Sequence, residues 1–229
     1  MIATNWNKFT LVYTFICIIH LLVIQSVDYA YLNVFTKPLI MLSIIVLTIQ
    51  FLKQYKHYKL ILLSFVASLF GDVFLLWQAR SDLFFLAGLA SFLIAHLLYA
   101  NYFYKSSNKT WNKNPKALVS QFLMILLVIG FYSLIYPGLV DLSIPVLFYV
   151  STIGVMGILA LNRYSHCNNA SFWYILIGAL SFIVSDSLIG FNKFVEPIAN
   201  ASVYIMLFYC LAQYLILKGF VLGEENELK

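Results

Sequence analysis

Charge is what this sequence has least of. Only 10% of its 229 residues are charged, with nine acidic residues in all. An ordinary soluble domain carries about 25% charged residues. That scarcity excludes a soluble enzyme and a disordered chain, both of which need a solvated surface. Cysteine is scarce as well. Cys17, Cys167 and Cys210 are odd in number and form no CxxC, and two lie inside apolar runs. They read as small hydrophobes, and neither a disulfide nor a metal site is expected. The four histidines, His20, His57, His96 and His166, show no HxxxH or HxxE spacing. A Gly-rich phosphate loop and a GxSxG elbow are both missing. No cofactor is therefore expected.

What is there is apolar: 62% of the residues are hydrophobic and the mean hydropathy is +0.90. A spanning helix needs about 20 apolar residues. Eight runs fit, at 9–27, 38–54, 60–78, 83–104, 117–136, 142–161, 171–190 and 199–220. Backbone in lipid must satisfy its own hydrogen bonds, so each run is read as a helix. The expectation is an all-α, polytopic integral membrane protein, with residues 1–229 as a single transmembrane domain. The first run lacks a small-residue cleavage site and is read as a retained span.

The net charge of +5 follows topology, not nucleic acid. Lys8, Lys53, Lys56, Lys59, Lys105, Lys109, Lys113, Lys116, Arg163, Lys218 and Lys229 fall on one side of an eight-span arrangement. Lys37, Arg80 and Lys193 fall on the other. The bias of eleven to three puts both termini in the cytoplasm. The sequons at Asn108, Asn169 and Asn200 then carry no weight.

Two acidic residues lie well inside the spans: Asp72 in SLFGDVFLL and Asp186 in FIVSDSLIG. A carboxylate in hydrocarbon is expensive and marks a function by default. The alternative is a structural aspartate bonded to nearby serines such as Ser68 or Ser185. The two aspartates are 114 residues apart, half the chain. A duplication would make the halves a parallel repeat of four helices each, with both aspartates at similar depth. His96 and Tyr99 share one face of the fourth helix, and Tyr209 and Gln213 one face of the eighth. His20 looks like a lone histidine with no polar partner at helical spacing. Lys37–Pro38 opens the second span, where the lysine either holds a phosphate or snorkels. Asn192 and Lys193 fall just past the seventh helix. From the residues alone, a proton-coupled transporter and an intramembrane hydrolase fit equally.

The stretches TKPLIML, SFVASLFGDVFLL, FFLAGLASFLIAHLLYANYF, GALSFIVSDSLIGFNKF and YCLAQYLILKG, in that order from about residue 36 to 219, resemble the YhhN-like lysoplasmalogenase family. The resemblance implies an eight-span enzyme of the plasma (inner) membrane. It implies hydrolysis of the vinyl ether bond of lysoplasmalogens to a fatty aldehyde and glycerophosphoethanolamine or glycerophosphocholine. Its partners would be the lysophospholipid substrate and membrane lipid. By the same resemblance Asp72 and Asp186 are catalytic, and Lys37, His96, Tyr99, Asn192, Tyr209 and Gln213 bind substrate. Vinyl ether cleavage suits two carboxyls, because it needs one proton donor and one negative group. The alternative is a transporter using Asp72 and Asp186 as a proton or cation relay.

Overall fold

A computed structural model describes residues 2–107 and 109–227. Asn108 and Lys229 lie outside the described residues. The described residues form eight α-helices: α1 (Ile2–Gln25), α2 (Asn33–Phe51), α3 (Tyr58–Leu76), α4 (Asp82–Lys105), α5 (Pro115–Ile135), α6 (Ser143–Asn162), α7 (Asn169–Phe194) and α8 (Ala201–Glu227). All eight are long and apolar enough to cross a membrane. Large side chains such as Phe15, Phe122 and Phe148 are more than half exposed. Such exposure would be a liability in water, but facing lipid it costs nothing. The chain is an integral multi-pass membrane protein.

The chain folds as two compact units, Met1–Ala95 and His96–Lys229, with the boundary inside α4. In the first unit α1 packs on α2 and α2 on α3. Ile40, Met41, Ile44, Ile61 and Phe65 are fully buried there. Gly71 lets α3 meet the first part of α4, since a Cβ at that position would lie 2.6 Å from the Phe92 ring. That close approach falls one residue before Asp72.

The second helix begins earlier than its apolar run. Asn33, Thr36 and Lys37 are polar, so a hydropathy count starts at Pro38, yet on a helix these three share one face. Pro38 therefore lies inside α2 and not at its opening. Proline has no N–H, so the Val34 carbonyl loses its helical donor. The seventh helix likewise runs on past its apolar segment, and Asn192 and Lys193 belong to its last turn. Phe191 and Phe194 keep that turn apolar on one side. Two helix starts carry the expected cap. Asn114 accepts from Lys116 N ahead of Pro115, and Asn168 accepts from Ala170 N and Ser171 N.

In the second unit α5 packs on α6, α6 on α7, and α7 along α8. Gly219 allows the α7–α8 approach. A Cβ there would sit 2.4 Å from Ile175 Cγ1 and 3.2 Å from the Ser171 carbonyl oxygen. Below this seam lies a buried polar network that the sequence did not announce. Arg163 has the position of a loop charge, yet it is completely buried. Its Nε donates to Ser106 Oγ (2.8 Å), one Nη to Ser171 Oγ (2.8 Å) and the other to the Ser171 carbonyl (3.2 Å). Ser171 Oγ in turn donates to the Gly219 carbonyl at 2.7 Å. Next to it, Asn162 accepts from Asn112 N and donates to Ser107 Oγ and the Thr110 carbonyl. Hydrogen bonds to a charged group contribute about 1.5–3 kcal/mol each, which explains how a guanidinium can stay here. Cys167 closes the loop, its Sγ 3.4 Å from the Arg163 carbonyl. Burial pushes its thiol above the ordinary value, partly offset by the Arg163 charge. It is a poor thiolate and a packing residue.

Candidate active site

Each intramembrane aspartate sits in its own polar setting. In the first unit, Asp72 on α3 is 1% exposed, and its Oδ1 lies 3.5 Å from Lys37 Nζ on α2. Lys37 was expected to hold a phosphate or to snorkel. Its ammonium faces a carboxylate across a helix pair. An isolated charge in such surroundings is costly, and pairing lowers that cost. Ser68, the alternative partner for Asp72, spends its hydroxyl proton on the Ser64 carbonyl at 3.1 Å.

His20 belongs to this setting as well, against the reading of it as a lone histidine. The ring is fully buried, and Nδ1 lies 2.9 Å from Thr36 Oγ1. Thr36 directly precedes Lys37 on α2. The partner lies on the next helix, sixteen residues away, so spacing within the first span could not reveal it.

In the second unit, Asp186 on α7 accepts a hydrogen bond at Oδ2 from the Tyr149 hydroxyl on α6. His96 Nε2 on α4 lies 3.7 Å from the same oxygen. The imidazole is fixed by aromatic edges. Its ring centroid is 4.7 Å from that of Phe182, nearly perpendicular, and 5.6 Å from that of Tyr149. Phe182 also meets Tyr209 at 5.6 Å, again edge to face. Tyr99 Oη donates to Gln213 Oε1 at 2.7 Å, tying α4 to α8. His96, Tyr99, Tyr209 and Gln213 thus gather with Asp186 around Phe182. Ser185 turns away and donates to the Ile205 carbonyl at 3.0 Å, so it does not serve the aspartate beside it.

Asn192 does not join this group. It is six residues beyond Asp186, about 9 Å along the helix axis. Its Oδ1 accepts from Ile198 N at 2.8 Å and so braces the α7–α8 loop. Tyr149 is the residue that sequence reasoning missed, because its partner lies on another helix. One signal was available: it lies two turns inside α6, away from either end, where a phenol needs a partner.

The two settings differ in chemistry. Asp72 is half of an ion pair. Asp186 is held by a phenol and lies against an imidazole. Such different environments are what allow two carboxyls to take different roles.

No solved structure matches the chain. A Bos taurus protein named lysoplasmalogenase TMEM86A is 34% identical over 169 residues, covering 72% of this chain and 66% of the relative. The Homo sapiens protein of the same name matches to the same extent. Human lysoplasmalogenase TMEM86B is 34% identical over 155 residues, 67% of this chain and 59% of the relative. The chain therefore spans just under two thirds of the length of the curated relatives it matches. The model of the YhhN family matches residues 32–220, which take in α2 through most of α8 with both aspartates, and by that match the chain belongs to the YhhN family.

Proposed function

We propose that this protein is a membrane lysoplasmalogenase, which adds water across the vinyl ether bond of a lysoplasmalogen. The observation that carries the reading is the pair of buried, differently partnered aspartates, in a chain whose relatives bear that name. The products are a fatty aldehyde and glycerophosphoethanolamine or glycerophosphocholine. The Lys/Arg bias supports cytoplasmic termini, and the reading places the enzyme in the plasma (inner) membrane.

The reaction begins when a proton is added to the vinyl carbon farther from oxygen. The carbon bonded to oxygen becomes an oxocarbenium ion. Water adds to that carbon and gives up a proton, and the hemiacetal collapses to aldehyde and alcohol. The Lys37–Asp72 ion pair supplies a carboxylate, suited to steady the cation and to take the proton from water. Asp186 supplies the first proton, with its Oδ2 held by Tyr149 so that the carboxyl keeps one orientation. His96, Tyr99, Tyr209 and Gln213 shape the surroundings of Asp186. Asn192 acts on the substrate only through the loop it braces.

Mass spectrometry of purified protein incubated with lysoplasmalogen tests the reading. Fatty aldehyde and the glycerophospho alcohol should appear in equal amounts, and neither should form with the Asp72→Asn, Asp186→Asn double variant. Unchanged lysoplasmalogen would reject the activity.

Tyr149 enters this scheme as a positioning residue. Tyr149→Phe keeps the ring against His96 and removes only the hydroxyl that orients Asp186. A hydrogen bond to a charged or ionisable group contributes about 1.5–3 kcal/mol, so kcat should fall by about 10–100-fold with KM little changed. A rise in KM at constant kcat would instead make the phenol a substrate contact.

A further inference from the structure

The polar cluster of the first unit holds buried acceptor atoms with spare hydrogen-bonding capacity. Thr36 Oγ1 donates its single proton to the Leu32 carbonyl at 3.2 Å. It can therefore only accept from the His20 ring at 2.9 Å. In the neutral imidazole, Nδ1 then carries the hydrogen and Nε2 carries the lone pair. That Nε2 is buried and has no hydrogen-bond partner among the described residues. A second such atom lies close by in sequence. Asn33 Oδ1 is buried and equally unpartnered, and Asn33, Thr36 and Lys37 share one face of α2. The ammonium of Lys37 is already engaged by Asp72 at 3.5 Å. What these two buried atoms lack is a donor. An anion such as phosphate brings none, whereas a hydroxyl does.

We infer that His20 Nε2 accepts a hydrogen bond from the free glycerol hydroxyl of a lysolipid, and that this contact selects lysolipids over lipids esterified at that oxygen. The inference rests on the lysolipid reading above for the class of ligand, but not on which bond is cleaved. The hydroxyl is the one donor that every lysolipid has and its esterified counterpart lacks. It sits on the carbon next to the one bearing the ether chain. A site built to hydrogen-bond a hydroxyl rejects the analogue without one, because its own buried group is then left unpaired. Thr36 has the supporting role of fixing the tautomer.

The test uses the full-length protein in detergent and two lipids, neither of them cleavable by the proposed chemistry. One is a saturated alkyl-ether lysophosphocholine, and the other is the same lipid with the glycerol hydroxyl replaced by hydrogen. Wild type should bind the hydroxylated lipid about tenfold or more tightly by Kd. His20→Phe, which fills the space without an acceptor, should weaken that lipid to the level of its partner and leave the other unchanged. Thr36→Val should narrow the difference by releasing the ring to its other tautomer. Equal affinities in wild type overturn the inference whether or not any variant assembles, and so does a preference that survives in His20→Phe. If the preference is present while lysoplasmalogen yields no aldehyde, the hydrolase reading fails and this one stands.

Discussion

Asp186→Asn and Asp72→Asn should each lower the rate of aldehyde release by about 10²–10⁴-fold, the usual contribution of a general acid or base. Asparagine matches aspartate in size and can still accept the Tyr149 hydrogen bond or lie near Lys37, so the helices should assemble. What it cannot do is give up or take a proton. The Asp72 variant should be the harder to express, since it leaves the Lys37 ammonium buried without its counter-charge. Lys37→Met should then follow Asp72→Asn in kcat. Were Lys37 a phosphate contact, KM would rise instead. Assembled variants that turn over lipid near the wild-type rate would make both aspartates structural.

The second large effect lies in the substrate. A saturated alkyl-ether lysolipid of the same chain and head group should bind and not be cleaved at all. Its tail buries the same apolar area, but it has no π-bond to protonate. In heavy water, aldehyde trapped early should carry one solvent deuterium on the carbon next to the carbonyl. Because the proton moves to carbon in the slow step, the reaction should also run more slowly in deuterated solvent. Release of alcohol from the saturated ether, or early aldehyde without deuterium, would rule out carbon protonation even with both aspartates essential.

The eight helices were legible because hydropathy alone sets them, and the described helices overlap all eight expected runs. Their ends were less so, for one reason in each case. A polar face at the start of α2 and a polar last turn on α7 drop out of any hydropathy count, although both are helical. Asp72 and Asp186 stood out because lipid penalises them. Pairings between helices did not stand out. His20 with Thr36, Lys37 with Asp72, and Tyr149 with Asp186 join residues 16, 35 and 37 positions apart, and no periodicity within one span encodes such partners. Arg163 was misread for a related reason. A cation at the end of an apolar run looks like a topology marker until serines from two other helix ends are seen around it.

The surroundings of that arginine also bear on the order in which the chain can be completed during synthesis. Its partners come from both directions along the chain: Ser106 has been made 57 residues earlier, whereas Ser171 emerges 8 residues later. Ser171 must then wait for the Gly219 carbonyl, a further 48 residues on. A nascent chain halted after α6 therefore carries a guanidinium with only part of its shelter, and one halted after α7 carries a hydroxyl with no acceptor. The closing bond therefore depends on the eighth helix. Chains truncated before Gly219 should consequently be recognised as unfinished by membrane quality control, even though seven of the eight spans and both aspartates are already present.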